Sequence, residues 1–302
     1  WKYSRESRAG RSDAQSLPDR IDIDGVSRPT KNSAGRPLAQ DEEGIRNFWK
    51  WFGDSKVVDE AGNPLIVYHG GKSEIDDFSR GPYRGILGAG YFSDSPRTAM
   101  QYAISGGSPQ RGESLSDLLR SMKKQLPNRT PTVTKAHLSI KNPIDITSNN
   151  AYSEIFDTFT PQEIDEITKN LWIGDELDRL YQEGDINEWR PFLESIKDNP
   201  EMFRGPTGLN DDLAVGNSPA FNFLATTGQL DEFMKRRGYD GFIFPDQETG
   251  ANTYVPLSPT QIKSATGNRG TFDPSNQDIR FSRQLDGIGT DPVEMVATIE
   301  RM

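Results

Sequence analysis

The sequence predicts an α+β fold, in which short strands and amphipathic helices share one core. Ile45, Phe48 and Trp49 recur at helical spacing after Asp41, which predicts a helix beginning near that aspartate. Apolar runs bounded by turn residues predict strands over 65–68, 132–140 and 241–244. Further helices are expected from Pro96, over 116–126 and over 292–302.

Composition excludes several classes of site. The 302 residues contain no cysteine, which rules out disulfides, thiolate zinc sites and a cysteine nucleophile. Two histidines are too few for a histidine-rich metal centre, and we expect no metal. The net charge of −10 repels nucleic acid at long range. No apolar run is long enough to cross a bilayer, so no membrane partner is expected.

The pattern divides the chain into three parts. Residues 1–42 are polar and rich in Ser, Arg, Gly and Pro, which predicts a linker or arm. Residues 43–283 form the predicted domain, with an acidic helical insertion at 151–236, and 284–302 form a tail. The chain begins without methionine or a signal peptide. We therefore expect it to be part of a larger polyprotein.

The stretch from Tyr68 to Tyr102 carries the chemistry. His69 follows an apolar run and precedes Gly70 and Gly71, where the missing Cβ atoms would let a ligand approach the backbone. We expect His69 to lie at the edge of a loop and to contribute little to the core. Together with the tyrosines that follow, it predicts a pocket for a flat, polar ring.

This order of residues resembles a known family. His69-Gly70, then Gly90-Tyr91-Phe92, then Ala99-Met100-Gln101-Tyr102 is similar to the ADP-ribosyltransferases of the diphtheria-toxin and poly(ADP-ribose) polymerase type. The blocks at 51–58 and 259–283 resemble the ADP-ribosyltransferase modules of phage and mobile-element polyvalent proteins more closely.

The resemblance implies a fold, a co-substrate and contacts. The fold would be a split antiparallel β-sandwich, and the co-substrate would be NAD. His69 would contact the adenosine-side ribose, and the backbone of Gly70 and Gly71 would hold the nicotinamide amide. Tyr91 and Tyr102 would bracket the nicotinamide ring, with Phe92 beside them. Separately, the guanidinium of Arg84 has the fork geometry to reach the pyrophosphate.

The catalytic carboxylate departs from the family pattern. Aligning Asn252-Thr253-Tyr254 with the last strand of the family puts Thr253 where a glutamate is expected, just before Tyr254. Three explanations stay open. Glu248 on the preceding loop takes the role, with Asp246 a second carboxylate within reach; the module transfers a single ADP-ribose by positioning alone; or it only binds.

The resemblance implies an enzyme that transfers one ADP-ribose from NAD to a host macromolecule and releases nicotinamide. As part of a phage or mobile-element polyprotein, it would act in the bacterial cytoplasm as an effector or toxin. The acceptor, protein or nucleic acid, stays open. One alternative is an NAD glycohydrolase. Another, from a different class, is an inert nucleotide-binding or virion structural module.

Overall fold

The structure, a computed structural model, describes residues 17–72, 75, 77–78, 88–105, 114–145, 229–246, 249–267, 270–279 and 291–301. The strands are β1 (Arg20–Ile23), β2 (Val26–Pro29), β3 (Val67–Gly71), β4 (Phe92–Ser93), β5 (Thr132–Leu138), β6 (Pro143–Asp145), β7 (Gly241–Pro245), β8 (Asn252–Pro256) and β9 (Ile262–Ser264). The helices are α1 (Glu42–Phe52), α2 (Pro96–Ser105), α3 (Leu115–Gln125), α4 (Gln229–Arg236) and α5 (Pro292–Glu300), and a 3-10 turn at Pro259–Gln261 precedes β9.

One large sheet dominates the described residues. Its seven strands lie in the order β6-β7-β8-β4-β3-β5-β9, and β1 and β2 form a separate hairpin. Its neighbouring strands are antiparallel, except for the parallel pair β6 and β7. The mixture of one sheet with helices confirms the α+β prediction in its coarse form. The split antiparallel sandwich stays a prediction, and the parallel pair departs from its purely antiparallel form.

The sheet has a narrow junction at its centre. β3 pairs with β5 through all five of its residues, but it meets β4 through the single pair Tyr68 and Ser93. β4 has only two residues, and beyond that pair the described residues give β3 no partner strand on the β4 side. The sheet therefore consists of two halves, β6-β7-β8-β4 and β3-β5-β9, joined at one residue pair.

Helix α1 follows its predicted pattern. The Asp41 side chain accepts a hydrogen bond from Gly44 N at 2.8 Å, which caps the helix. The apolar face of the helix packs with Phe272 from the C-terminal part of the chain. Ile21 and Leu38 belong to the same cluster, so this part of the predicted arm packs on the domain. The domain boundaries themselves stay predictions.

The predicted helices after the tyrosine stretch are also present. Pro96 begins α2, and α3 and α5 lie within one or two residues of their predicted bounds. The three helices share one cluster of buried residues, in which Met100, Leu119 and Val296 take part. The C-terminal helix therefore packs on the domain. Of the predicted insertion, residues 151–228 lie outside the described residues.

Gln261 links the two halves of the sheet. Its Nε2 donates to Ser139 O and to Asp240 O, both at 2.8 Å, and its Oε1 accepts from Ser258 N at 2.8 Å. Ser139 follows β5 in one half, whereas Asp240 precedes β7 in the other. These contacts give Gln261 a structural role, because they anchor the residues before β9 to both halves of the sheet.

We expect Gln261→Glu to lower the free energy of unfolding by about 2 kcal/mol or more, because a carboxylate cannot donate to the two carbonyls. Urea unfolding measures the change. Gln277 is exposed, and Gln277→Glu makes the same chemical change with an expected effect within about 0.5 kcal/mol. Equal losses in the two variants would contradict the bridging role.

His137 of β5 is a buried structural histidine. It is 2% exposed, its Nδ1 lies 3.0 Å from Leu65 O, and its ring meets Phe48 edge-on at 5.3 Å. Burial lowers the pKa of His137 to about 4. The unfolded chain therefore binds a proton between about pH 4 and pH 6.5 that the folded chain does not.

The contribution of neutral His137 to stability is therefore fully present above pH 6.5 and is lost as the pH drops toward 4. From the difference in pKa, His137 contributes about 3 kcal/mol to this loss. We expect His137→Gln to flatten the dependence of unfolding free energy on pH across this window, measured by urea unfolding at several pH values. Parallel curves for the variant and the unchanged protein would contradict this prediction.

Candidate functional site

His69 lies within a strand. The predicted strand ended at Tyr68, but β3 continues to Gly71 because His69, Gly70 and Gly71 pair with Thr134, Val133 and Thr132 of β5. Two successive glycines weaken a strand, and this partner strand compensates for them. The sequence prediction of the strand end was therefore wrong by three residues.

The His69 ring lies at the junction between the two halves of the sheet. It is 9% exposed, and its ring packs on Phe78 at 5.1 Å and on Phe92 at 5.4 Å between centroids. These contacts correct the expectation that His69 contributes little to the core. His69→Ala would therefore disturb packing as well as any ligand contact.

The hydrogen bonding of His69 fixes its tautomer. Its Nδ1 lies 2.8 Å from Tyr91 O, and a carbonyl can only accept, so we assign the proton to Nδ1. Burial lowers the pKa of His69, although the Tyr91 carbonyl opposes that shift. The ring is then neutral at pH 7, and its Nε2 can accept a hydrogen bond from a hydroxyl group.

Gly70 leaves room for a helix. A Cβ atom built on Gly70 would lie 1.8 Å from Ala99 O and 2.9 Å from Ala103 N of α2. The sequence interpretation gave this space to a ligand, but the backbone of α2 occupies it. Contact of a ligand with the main chain of Gly70 or Gly71 stays a prediction, to be made from the strand edge rather than through this space.

Tyr91 and Tyr102 are partly exposed residues. They are 40% and 37% exposed, and Tyr91 meets Phe244 of β7 edge-on at 6.4 Å. Burial of the Tyr91 hydroxyl raises its pKa, and the charges of Asp231 and Tyr102 raise this pKa further. Tyr91 as a whole is partly exposed, whereas its hydroxyl is buried. The effect of the Tyr102 charge on the pKa of Tyr91 indicates that the two side chains lie near each other.

Phe92 and Tyr254 are core residues. Phe92 is 1% exposed and Tyr254 is 7% exposed; they pair across β4 and β8 and belong to one apolar cluster. Phe92 supports His69 from behind, so the structure does not support its predicted contact with a ligand. Burial, with a smaller effect of Asp94, raises the pKa of Tyr254 to about 12.

Thr253 sits close to the junction. It pairs with Ser93 of β4, which in turn pairs with Tyr68 of β3. Its side chain is 7% exposed and carries no charge. The position that the family resemblance gives to a glutamate thus lies beside the junction, but the residue at that position is a threonine.

Three described carboxylates lie near these elements. Asp94 accepts from Asn252 N at 3.0 Å, and Asp246 accepts from Thr249 N at 3.0 Å. Asp231 accepts from Gly88 N through both of its oxygens, at 2.9 and 3.1 Å. Sequence reasoning did not find Asp94 or Asp231. Glu248 and Arg84 lie outside the described residues.

The comparisons with known proteins agree with the resemblance. Residues 59–191 match the model of the family described as ADP-ribosyltransferase in polyvalent proteins. No curated protein and no solved structure matches the chain. Over residues 59–191 the chain is therefore similar to the ADP-ribosyltransferase domains of this family.

The family match covers part of the site. It spans His69, Gly70, Tyr91 and Tyr102, whereas Thr253 and Asp231 follow its end. The seven-stranded sheet with its helices is compatible with an ADP-ribosyltransferase fold. None of the helices in the described ranges is long and apolar enough to cross a membrane.

Proposed function

We propose that the protein is an NAD-dependent mono-ADP-ribosyltransferase that modifies a host macromolecule. The observation that carries this proposal is the grouping of His69, Tyr91 and Tyr102 at the junction of the sheet, within a region similar to the ADP-ribosyltransferase family. Neither a lone buried histidine nor a pair of surface tyrosines would support it separately.

The three residues suit the parts of NAD. The partly exposed residues Tyr91 and Tyr102 carry aromatic rings on which the flat nicotinamide can stack. The Nδ1 of His69 is bonded to Tyr91 O, and its Nε2 can accept a hydrogen bond from a ribose hydroxyl. Holding the dinucleotide bent at these points positions its anomeric carbon for attack.

The reaction breaks the bond between nicotinamide N1 and ribose C1′. The bonding electron pair goes to the nitrogen, which neutralises the pyridinium, and positive charge develops on the ribose as in glycoside hydrolysis. An acceptor atom then forms a bond to C1′ and gives its proton to solvent. The uncharged Thr253 favours a single transfer, because elongating members of the resembled family generally need the glutamate.

Nicotinamide release tests this proposal in purified protein. We expect incubation with NAD to yield free nicotinamide, and chromatography separates it from the dinucleotide. Release with no acceptor present would show transfer to water or to the protein itself, which mass spectrometry of the chain distinguishes. No release with any acceptor would favour the inert binding module.

The acceptor and its place are parts of the same proposal. We infer a host protein or nucleic acid as acceptor, met in the bacterial cytoplasm after delivery as part of a larger polyprotein. The family description supports the polyprotein context. The net charge of −10 repels nucleic acid at long range, which mildly favours a protein acceptor.

A further inference from the structure

Asp231 anchors the turn that presents Tyr91. It lies in the first turn of α4, and its carboxylate oxygens accept from Gly88 N at 2.9 and 3.1 Å. On its other side the turn is bonded to β8, because Ala89 N donates to Pro256 O at 2.7 Å. Gly88 lies three residues before Tyr91, so the Asp231 carboxylate is held at the start of the glycine turn formed by Gly88, Ala89 and Gly90.

Asp231 is a poorly solvated charge. Burial raises its pKa, although the bond from Gly88 opposes that shift. Its effect reaches the tyrosine, because the charge of Asp231 raises the pKa of Tyr91. A charge with few waters around it acts more strongly on its neighbours than one in bulk solvent.

The ligand of the proposed site is itself charged. The nicotinamide ring of NAD is a cation, and the positive charge moves to the ribose as the C1′–N1 bond breaks. A fixed carboxylate beside the ring favours binding of the cation, and it favours the transition state further if it lies nearer the ribose. Thr253 cannot serve in this way.

We propose that Asp231 supplies the negative charge of the NAD site, facing the nicotinamide and its ribose from the Tyr91 side. This inference rests on the proposed function, and it gives to α4 the role that the family resemblance assigns to a glutamate at position 253. A purely structural Asp231 would need its hydrogen bonds to Gly88 but not its charge.

The variant Asp231→Asn separates these two roles. The amide oxygen of Asn can still accept from Gly88 N, but the charge is lost. We expect the kcat for nicotinamide release to fall tenfold or more, in line with the loss of a preorganised electrostatic group. Glu232→Gln is the matched control, because Glu232 is an exposed neighbour on the same helix paired with Lys235 at 2.9 Å. We expect it to change kcat less than twofold.

Binding gives a readout that does not depend on turnover. NADH carries a neutral dihydronicotinamide ring, so calorimetry with NAD and NADH reports the charge of the site. We expect the unchanged protein and Glu232→Gln to bind NAD more tightly than NADH, and Asp231→Asn to lose that preference. Thermal unfolding of all three proteins checks that α4 and its turn remain folded.

The outcomes distinguish the two proposals. If the unchanged protein binds no NAD and releases no nicotinamide, the proposed function fails and the inference fails with it. If it does both and Asp231→Asn alters neither kcat nor the preference for NAD, only the inference is overturned. A lower kcat with an unchanged NAD preference would make Asp231 an anchor of the turn, which also overturns it.

Discussion

Gly70→Ala is expected to lower the free energy of unfolding by about 3 kcal/mol or more. The added methyl group would lie 1.8 Å from Ala99 O and 2.9 Å from Ala103 N, and both are backbone atoms of α2. Relief requires the helix to move away from β3, because no side-chain rotation can make room. Overpacking of a core typically costs about 1–3 kcal/mol, and contact with backbone lies at the upper end.

Denaturant unfolding of Gly70→Ala beside Gly62→Ala isolates the helix contact. Gly62 has a φ of +78° and nothing within 4 Å of a Cβ atom, so alanine there adds only the left-handed strain of about 1–2 kcal/mol. The two costs have different causes, and a larger loss for Gly70→Ala than for Gly62→Ala then indicates close packing of α2 on β3. A Gly70→Ala protein as stable as the unchanged one would show that α2 does not cross the strand there.

Tyr102→Ala is expected to lower kcat/KM for nicotinamide release by ten- to a hundredfold. Tyr102 is 37% exposed, so its removal leaves the core almost unchanged. Stacking of a heteroaromatic base on an aromatic side chain is worth about 1–3 kcal/mol when tested by alanine substitution, which corresponds to this range of rates.

Tyr102→Phe is the control for stacking. It keeps the ring and removes the hydroxyl, so we expect kcat/KM within a few-fold of the unchanged protein. Steady-state kinetics on the three proteins makes the comparison, with thermal unfolding to confirm that each is folded. Equal kinetics for Tyr102→Ala and the unchanged protein would remove Tyr102 from the site.

The helices of the described region could be predicted from sequence, because each carries its own signal. α1 has a capping aspartate and an apolar face, and α2 begins at a proline. The strands were harder to predict. β4 has two residues, too few for an alternating pattern, and β3 extends through two glycines because β5 pairs with it. Pairing with strands distant in sequence determined the extent of both β3 and β4.

The residues of the candidate site could be predicted from the order of the sequence motifs, but the direction in which each side chain faces could not. The sequence predicted that His69, Tyr91 and Tyr102 act together, and the bond from His69 to the Tyr91 carbonyl joins two of them. Phe92 faces the core beside His69, and which face of a two-residue strand is buried depends on its neighbours.

Asp231 lay beyond sequence reasoning for a related reason. It is 143 residues from Gly88 along the chain, inside a stretch that reads only as acidic and helical. Its importance comes from the approach of α4 to the glycine turn, which no local pattern encodes. The sequence therefore offered only the carboxylates of the loop before Thr253, where Glu248 lies.

The central claim is that this chain transfers ADP-ribose from NAD, and labelled NAD tests it most directly. The protein is incubated with a bacterial lysate and NAD labelled in its adenylate part, and protein, nucleic acid and free nicotinamide are then separated. We predict released nicotinamide together with label on a macromolecule, and both products reduced ten- to a hundredfold at early times when Tyr102→Ala replaces the unchanged protein. Nicotinamide without labelled macromolecules would identify a glycohydrolase, and neither product would contradict the claim that the domain is an active transferase.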